Sequence, residues 1–203
     1  GKSTIMHLLC RFYDIDKGQI LIDGVDIQAY NLRELRKAIG VVQQNVFLYS
    51  GNILDNITLH REEVSAEDAR RAAEMVNAAP FINRLPKRYE EAVTERGSTL
   101  SAGQRQLLSF ARTVAASPSL LILDEATASI DTETEMLIQD AIRTVSSKQT
   151  MIAVAHRIST IADADQIIVM HHGEIAERGT KEELLEQDGL FQVLYQLQFE
   201  ASA

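Results

Sequence analysis

Two hydrophobic rhythms alternate along this chain, and each change of rhythm marks an element. GKSTIMHLLCRF, Gly1 to Phe12, predicts an amphipathic helix with Ile5, Leu8, Leu9 and Phe12 on one face. QILIDGVDI predicts two short β segments broken by Asp23-Gly24, a hairpin turn signal. A short charged helix, LRELRK, leads into an apolar strand from Ile39 to Gln44. Helical spacing then runs from Ile53 to about Leu85, with its clearest start at Ser65, where Asp68 completes a capping-box variant. After the TERGS loop comes a helix from Ser101, followed by LLIL, Leu120 to Leu123, apolar throughout as in a parallel strand buried on both faces. Thr132 and Glu135 open another helix with a capping box. MIAVAH predicts a further buried strand, QIIVMHHGEIAERG a last hairpin, and residues 181–186 and 189–199 two closing helices.

Strands alternating with helices predict an α/β fold built on a mostly parallel sheet. The stretch 53–117 offers no strand and is expected to form an inserted α-helical subdomain. No internal repeat or low-complexity segment interrupts the 203 residues.

Composition narrows the class. With 45% hydrophobic and 24% charged residues the chain can bury the core of one globular domain. A net charge of -9 argues against a nucleic-acid surface, which would show a basic stripe. The single cysteine, Cys10, excludes an internal disulfide, fits a reducing compartment and is expected to pack inside the first helix. No apolar run approaches the roughly 18 residues of a membrane span. The opening GKST has no signal-peptide character and reads as a piece that lacks its start.

Candidate chemistry gathers at two places. GKST, Gly1 to Thr4, at the start of a helix is the tail of a phosphate-binding loop, G-x-x-x-x-G-K-[ST]. Helix N-termini favour phosphate through their N–H groups and dipole, Lys2 reaches β- and γ-phosphates, and the Ser3 hydroxyl suits Mg²⁺. LLILDE supplies the second half, a strand ending on Asp124, a carboxylate suited to Mg²⁺, with Glu125 beside it as general base toward water. Each motif alone occurs by chance. Their joint occurrence, in this order, favours a P-loop NTPase of RecA-like type.

LSAGQRQ, Leu100 to Gln106, resembles the LSGGQ signature of ATP-binding cassette (ABC) proteins, and it precedes LLILDE as it does there. The resemblance implies that Ser101, Gly103 and Gln104, with the helix N-terminus, meet the γ-phosphate of an ATP bound on the opposite subunit; Ser101 also fits an ordinary N-cap. Ala102 departs from the motif, and its methyl is expected to crowd the backbone approach to phosphate. Gln44 matches the glutamine of the Q-loop, which senses Mg²⁺ and water and contacts the transport domain, although Gln43 replaces a common proline. Asp131 in ASID matches the D-loop at the dimer interface, with Ile130 where leucine is common. His156 matches the switch histidine at the γ-phosphate. His171 and His172, in an HHG turn, lack metal partners and are expected to face solvent.

The resemblance extends over the whole chain. TERG, Thr94 to Gly97, and NVFLYSGNILDNI point to the exporter branch. It implies ATP and Mg²⁺ as cofactors, with Ser3, Gln44 and Asp124 toward the metal. It also implies a transmembrane domain, expected on the same parent chain, a second cassette in a head-to-tail homo- or heterodimer, and a place at the cytoplasmic face of the cell membrane. Three other readings are weaker. A soluble ABC ATPase acting on DNA or ribosomes predicts a heptad insertion or second cassette, and these residues carry neither. A degenerate regulatory cassette conflicts with Lys2, Asp124, Glu125 and His156 all being in place. A structural phosphate-binding domain leaves the signature unexplained.

Overall fold

The computed structural model describes residues 1–43, 45–94, 97, 99–124, 130–155 and 157–200, apart from the side chains of 199 and 200. The chain divides into two units, one of residues 1–27 with 153–203 and one of residues 28–152.

In the first unit, α1 (Lys2–Leu9) ends in paired C-terminal bonds: Arg11 N donates to Leu8 O (3.0 Å) and Phe12 N to His7 O (2.9 Å), with Arg11 left-handed at φ 49°. Its buried residue is Met6, and Cys10 at its C-cap is buried as expected, but the expected apolar face fails because Ile5 is 42% and Phe12 56% exposed. The helix stops before Phe12, so the extrapolated apolar face does not persist to it. β1 (Leu21–Ile22) and β2 (Val25–Asp26) pair antiparallel around Asp23 and Gly24, both at positive φ, as the turn signal requires. β8 (Ile167–His171) and β9 (Glu174–Gly179) form the second hairpin around His172 and Gly173, also at positive φ, with a register shift at Val169/Met170. α8 (Lys181–Glu186) starts on a Thr180/Glu183 capping box, and α9 (Leu190–Glu200) is started by the Glu177 carboxylate, which accepts from the amides of Leu190 and Phe191. Ile158, Ile167, Leu184 and Phe191 form one apolar cluster in this unit.

In the second unit, α2 (Leu32–Ala38), capped by Asn31, feeds β3 (Ile39–Val42), whose expected end at Gln44 lies outside the described residues. β3 pairs in parallel with β6 (Leu120–Asp124), Ile39 opposite Leu120 and Val42 opposite Leu123, and the three-stranded order is β3-β6-β7, with β7 at Thr150–Val154. Leu121, Ile122 and Leu123 are fully buried, each contributing about 1.5–3 kcal/mol of apolar burial.

Between β3 and β6 run α3 (Ile53–Thr58), α4 (Ala66–Met75), α5 (Ala79–Arg84) and α6 (Ala102–Ala115). The capping box of Ser65 and Asp68 starts α4 as expected. The expectation of a strandless 53–117 is corrected: β5 (Ala92–Val93) pairs antiparallel with β4 (Gly51–Asn52), closing a long loop that carries no local strand signal. α6 packs directly on β3, where Gly40 gives way to Thr113 and Pro118; a Cβ there would sit 2.7 Å from both. α7 (Thr132–Ser146) follows, and its cap is also corrected: Asp131 and not Thr132 is the N-cap, accepting from Thr134 N at 2.9 Å. Aspartate one residue earlier offers the stronger acceptor at the correct spacing. Among the described residues no helix is long and apolar enough to cross a membrane.

Candidate nucleotide site

The first component is the N-terminus of α1. Six other helices, α2, α3, α4, α6, α7 and α8, begin on a side chain that accepts from a first-turn amide. α1 begins on Gly1 without one, and its first turn holds no acid. Gly1, Lys2, Ser3 and Thr4 are all exposed there. First-turn amides of a helix lack intrahelical acceptors, and the dipole adds positive potential, so an uncapped cationic start suits an anion. Lys2 and the Ser3 hydroxyl therefore fit the polyphosphate and Mg²⁺ chemistry that their sequence suggests.

The second component is the carboxyl edge of the sheet in the other unit. The parallel register ends β3 at Val42 and β6 at Asp124 on the same edge, the side of an open α/β sheet where ligands bind. Asp124 is half-buried, behind three buried aliphatic residues that fix the strand. Gln44, Glu125 and His156 lie outside the described residues.

The signature helix is the third component. Ser101 Oγ accepts from Gln104 N (3.1 Å), and Gln104 Oε1 accepts from Ser101 N (3.0 Å), a complete capping box. The N-cap reading of Ser101 holds. As an acceptor in that bond, the hydroxyl keeps its proton available to donate. Gln104 is engaged in the cap through its side chain. Ala102 is exposed, whereas Gly103 is buried, and a Cβ on it would run into the Thr134 side chain.

That contact joins the signature to the start of α7. Thr134 lies against Gly103, and its Oγ1 donates to Asp131 Oδ2 at 2.9 Å. Hydrogen bonds from Thr134, its backbone N–H first, hold the Asp131 carboxyl below the usual carboxylate range. Gly103, Thr134 and Asp131 thus form one unit although 31 positions part the outer two. The spacing of Gly103 and Thr134 gives no sign of it.

Sequence reasoning also passed over Arg112 and Asn56. Asn56, 1% exposed, donates to Tyr49 O (2.8 Å) and Asn52 O (3.0 Å) and accepts from Tyr49 N (2.9 Å). Arg112 donates to Asn56 O, Phe47 O and Asn56 Oδ1 at 2.7, 2.9 and 3.0 Å. Burial pushes its guanidinium pKa down from the ordinary value. The available signal was a polar asparagine on the apolar face of α3, with Ile53 and Ile57 as buried neighbours. His171 and His172 are exposed, as expected, their rings edge to face at 4.1 Å.

The model of the ABC transporter family matches residues 1–128. A probable multidrug resistance ABC transporter ATP-binding/permease protein of Bacillus subtilis (YheH) is 50% identical over 198 residues, 98% of this chain and 29% of that protein. An ATP-dependent lipid A-core flippase of Haemophilus influenzae is 46% identical over 200 residues, 98% of this chain and 34% of the flippase. The structure of a bacterial Atm1-family ABC exporter with ATP bound superposes with a TM-score of 0.90 at 44% identity, covering 98% of this chain and 35% of that one. The chain thus spans about a third of the length of the relatives it matches.

Proposed function

This chain belongs to the ABC transporter family, and from that premise we propose that it is the ATP-binding and ATP-hydrolysing motor of an exporter. The observation that supports this most is the pairing, in one chain, of an uncapped, acid-free helix start bearing Lys2 and Ser3 with a buried strand ending on Asp124. Relatives named as ATP-binding/permease proteins and lipid flippases support the coupling of hydrolysis to export.

The roles follow the chemistry of each group. The Gly1–Thr4 turn and Lys2 bind phosphate oxygens through N–H groups and an ammonium. Ser3, Gln44 and Asp124 would hold Mg²⁺, which would supply charge neutralisation toward the phosphates. Glu125 accepts a proton from the attacking water, and His156 donates to the γ-phosphate. Ser101, Gly103 and Gln104 present the start of α6 to a nucleotide held by a second cassette, in a head-to-tail dimer with Asp131 at its interface. The stretch 53–117, helical apart from β5, acts as the subdomain that meets a transmembrane partner, and the cassette works at the cytoplasmic face of the membrane.

Glu125→Gln in the full-length protein tests this reading. The amide cannot take the proton, so turnover is expected to fall by roughly 100- to 10,000-fold while ATP binding persists and nucleotide-bound dimers accumulate. Steady ATPase activity in the variant assigns Glu125 a structural role. A parent that binds ATP without turning it over is a regulatory cassette instead of a motor.

A further inference from the structure

The loop that follows Gln44 presents an aromatic pair to the outside. Phe47 and Tyr49 are 48% and 55% exposed, their rings edge to face at 5.0 Å. Exposed aromatics on a loop ordinarily move freely. These two are fastened on three sides. Leu48 between them is fully buried against Gly97, where a Cβ would come within 2.7 Å of it and 3.2 Å of Arg105. Asn56 takes both backbone groups of Tyr49. Arg112 donates to Phe47 O while its guanidinium lies 5.7 Å from the centre of the Tyr49 ring.

Arg105 and Arg112 both belong to α6, the helix that Ser101 begins. The aromatic loop is therefore bound to that helix near its end, through Arg112, while near its start Leu48 and Arg105 both close on Gly97. α6 between those points is largely buried and cannot bend easily. Arg112 lies about 16 Å along the rod from Ser101, at roughly 1.5 Å per residue.

We propose that Arg112 is a positioning residue that makes the Phe47–Tyr49 loop and the signature helix one rigid body, so that a push on the two rings displaces Ser101. The inference rests on the ATPase reading for its functional consequence and on this unit alone for its geometry. Coupling between distant sites needs such a contiguous stiff element, and the planar guanidinium is what spans the two segments. Lysine keeps the charge but, with a single nitrogen, cannot span Phe47 O, Asn56 O and Asn56 Oδ1 as the planar fork does.

The test uses the full-length transporter in lipid nanodiscs, comparing the parent with Arg112→Lys and Tyr49→Leu. With Arg112→Lys, ATP stoichiometry and KM are expected to hold while kcat falls by about 2- to 30-fold. Amide hydrogen exchange is expected to quicken at Tyr49 and also at residues 101–104, with residues 107–110 unchanged. A residue that serves only local stability would not move that remote signal while sparing the middle of the helix. Tyr49→Leu removes only an exposed ring and is expected to give the same exchange pattern at smaller amplitude, which keeps the test decisive if Arg112→Lys folds poorly. Loosening confined to residues 47–52, or parent-like exchange at 101–104 in the folded variants, overturns the proposal. A parent without ATPase activity defeats the ATPase reading, and the exchange pattern then still decides the rigid-body claim.

Discussion

Gly103→Ala separates the two central positions of the signature. A Cβ at 103 would lie 2.8 Å from Thr134 Cβ and 3.0 Å from its Oγ1, with Cγ2 closer still. Thr134 cannot simply rotate away, because Oγ1 holds Asp131 at the N-cap of α7. Overpacking of this kind costs roughly 1–3 kcal/mol. Losing the Thr134–Asp131 bond adds about 1 kcal/mol. Alanine regains about 1 kcal/mol in helix propensity. The net expectation is destabilisation by roughly 1–3 kcal/mol, and each kcal/mol lowers the midpoint by roughly 2–4 °C in a domain of this size. Thermal unfolding of the intact protein measures it. The companion variant Thr134→Ala removes Cγ2 and Oγ1, so the double variant should be more stable than the sum of singles predicts, by about 1 kcal/mol. Additivity within about 0.5 kcal/mol, or a Gly103→Ala protein as stable as the parent, refutes the packing argument. Ala102→Gly serves as the contrast: residue 102 is exposed, and its change should alter stability by about 1 kcal/mol at most.

Two further outcomes follow from the same geometry. Lys2→Ala in the full-length protein should weaken ATP binding by about 10- to 100-fold, since a charge-assisted contact is lost; equal affinity by titration counts against the phosphate-loop assignment. The N-terminal turns of α4 and α7 should resist acid, because Ser65 holds Asp68, and Thr134 holds Asp131, below the ordinary carboxylate value of 3.8. A depressed folded pKa contributes stability that is complete above that value and is lost as pH falls through the folded pKa, so fraying of these turns followed by NMR belongs below 3.8. A midpoint above it contradicts the capping assignment.

What the sequence by itself determined are features whose partners lie within one turn of the chain. Ser65 with Asp68, Ser101 with Gln104 and the Asp23-Gly24 turn are each closed by hydrogen bonds or dihedrals spanning a few residues. The unbroken LLIL run declared a strand buried on both faces for the same reason. The shift of the α7 cap from Thr132 to Asp131 shows the margin of such local reading, one residue. The burial of Cys10 was legible from its residue type, but tertiary structure alone put Met6 inside and left Ile5 and Phe12 exposed. It alone brought β5 to β4, Thr134 to Gly103, and Arg112 to Phe47 across 65 positions. Those contacts have no local signature. A glycine needed for a neighbour's methyl, or an arginine that satisfies distant carbonyls, reads in sequence like any other glycine or surface arginine until the chain has closed around it.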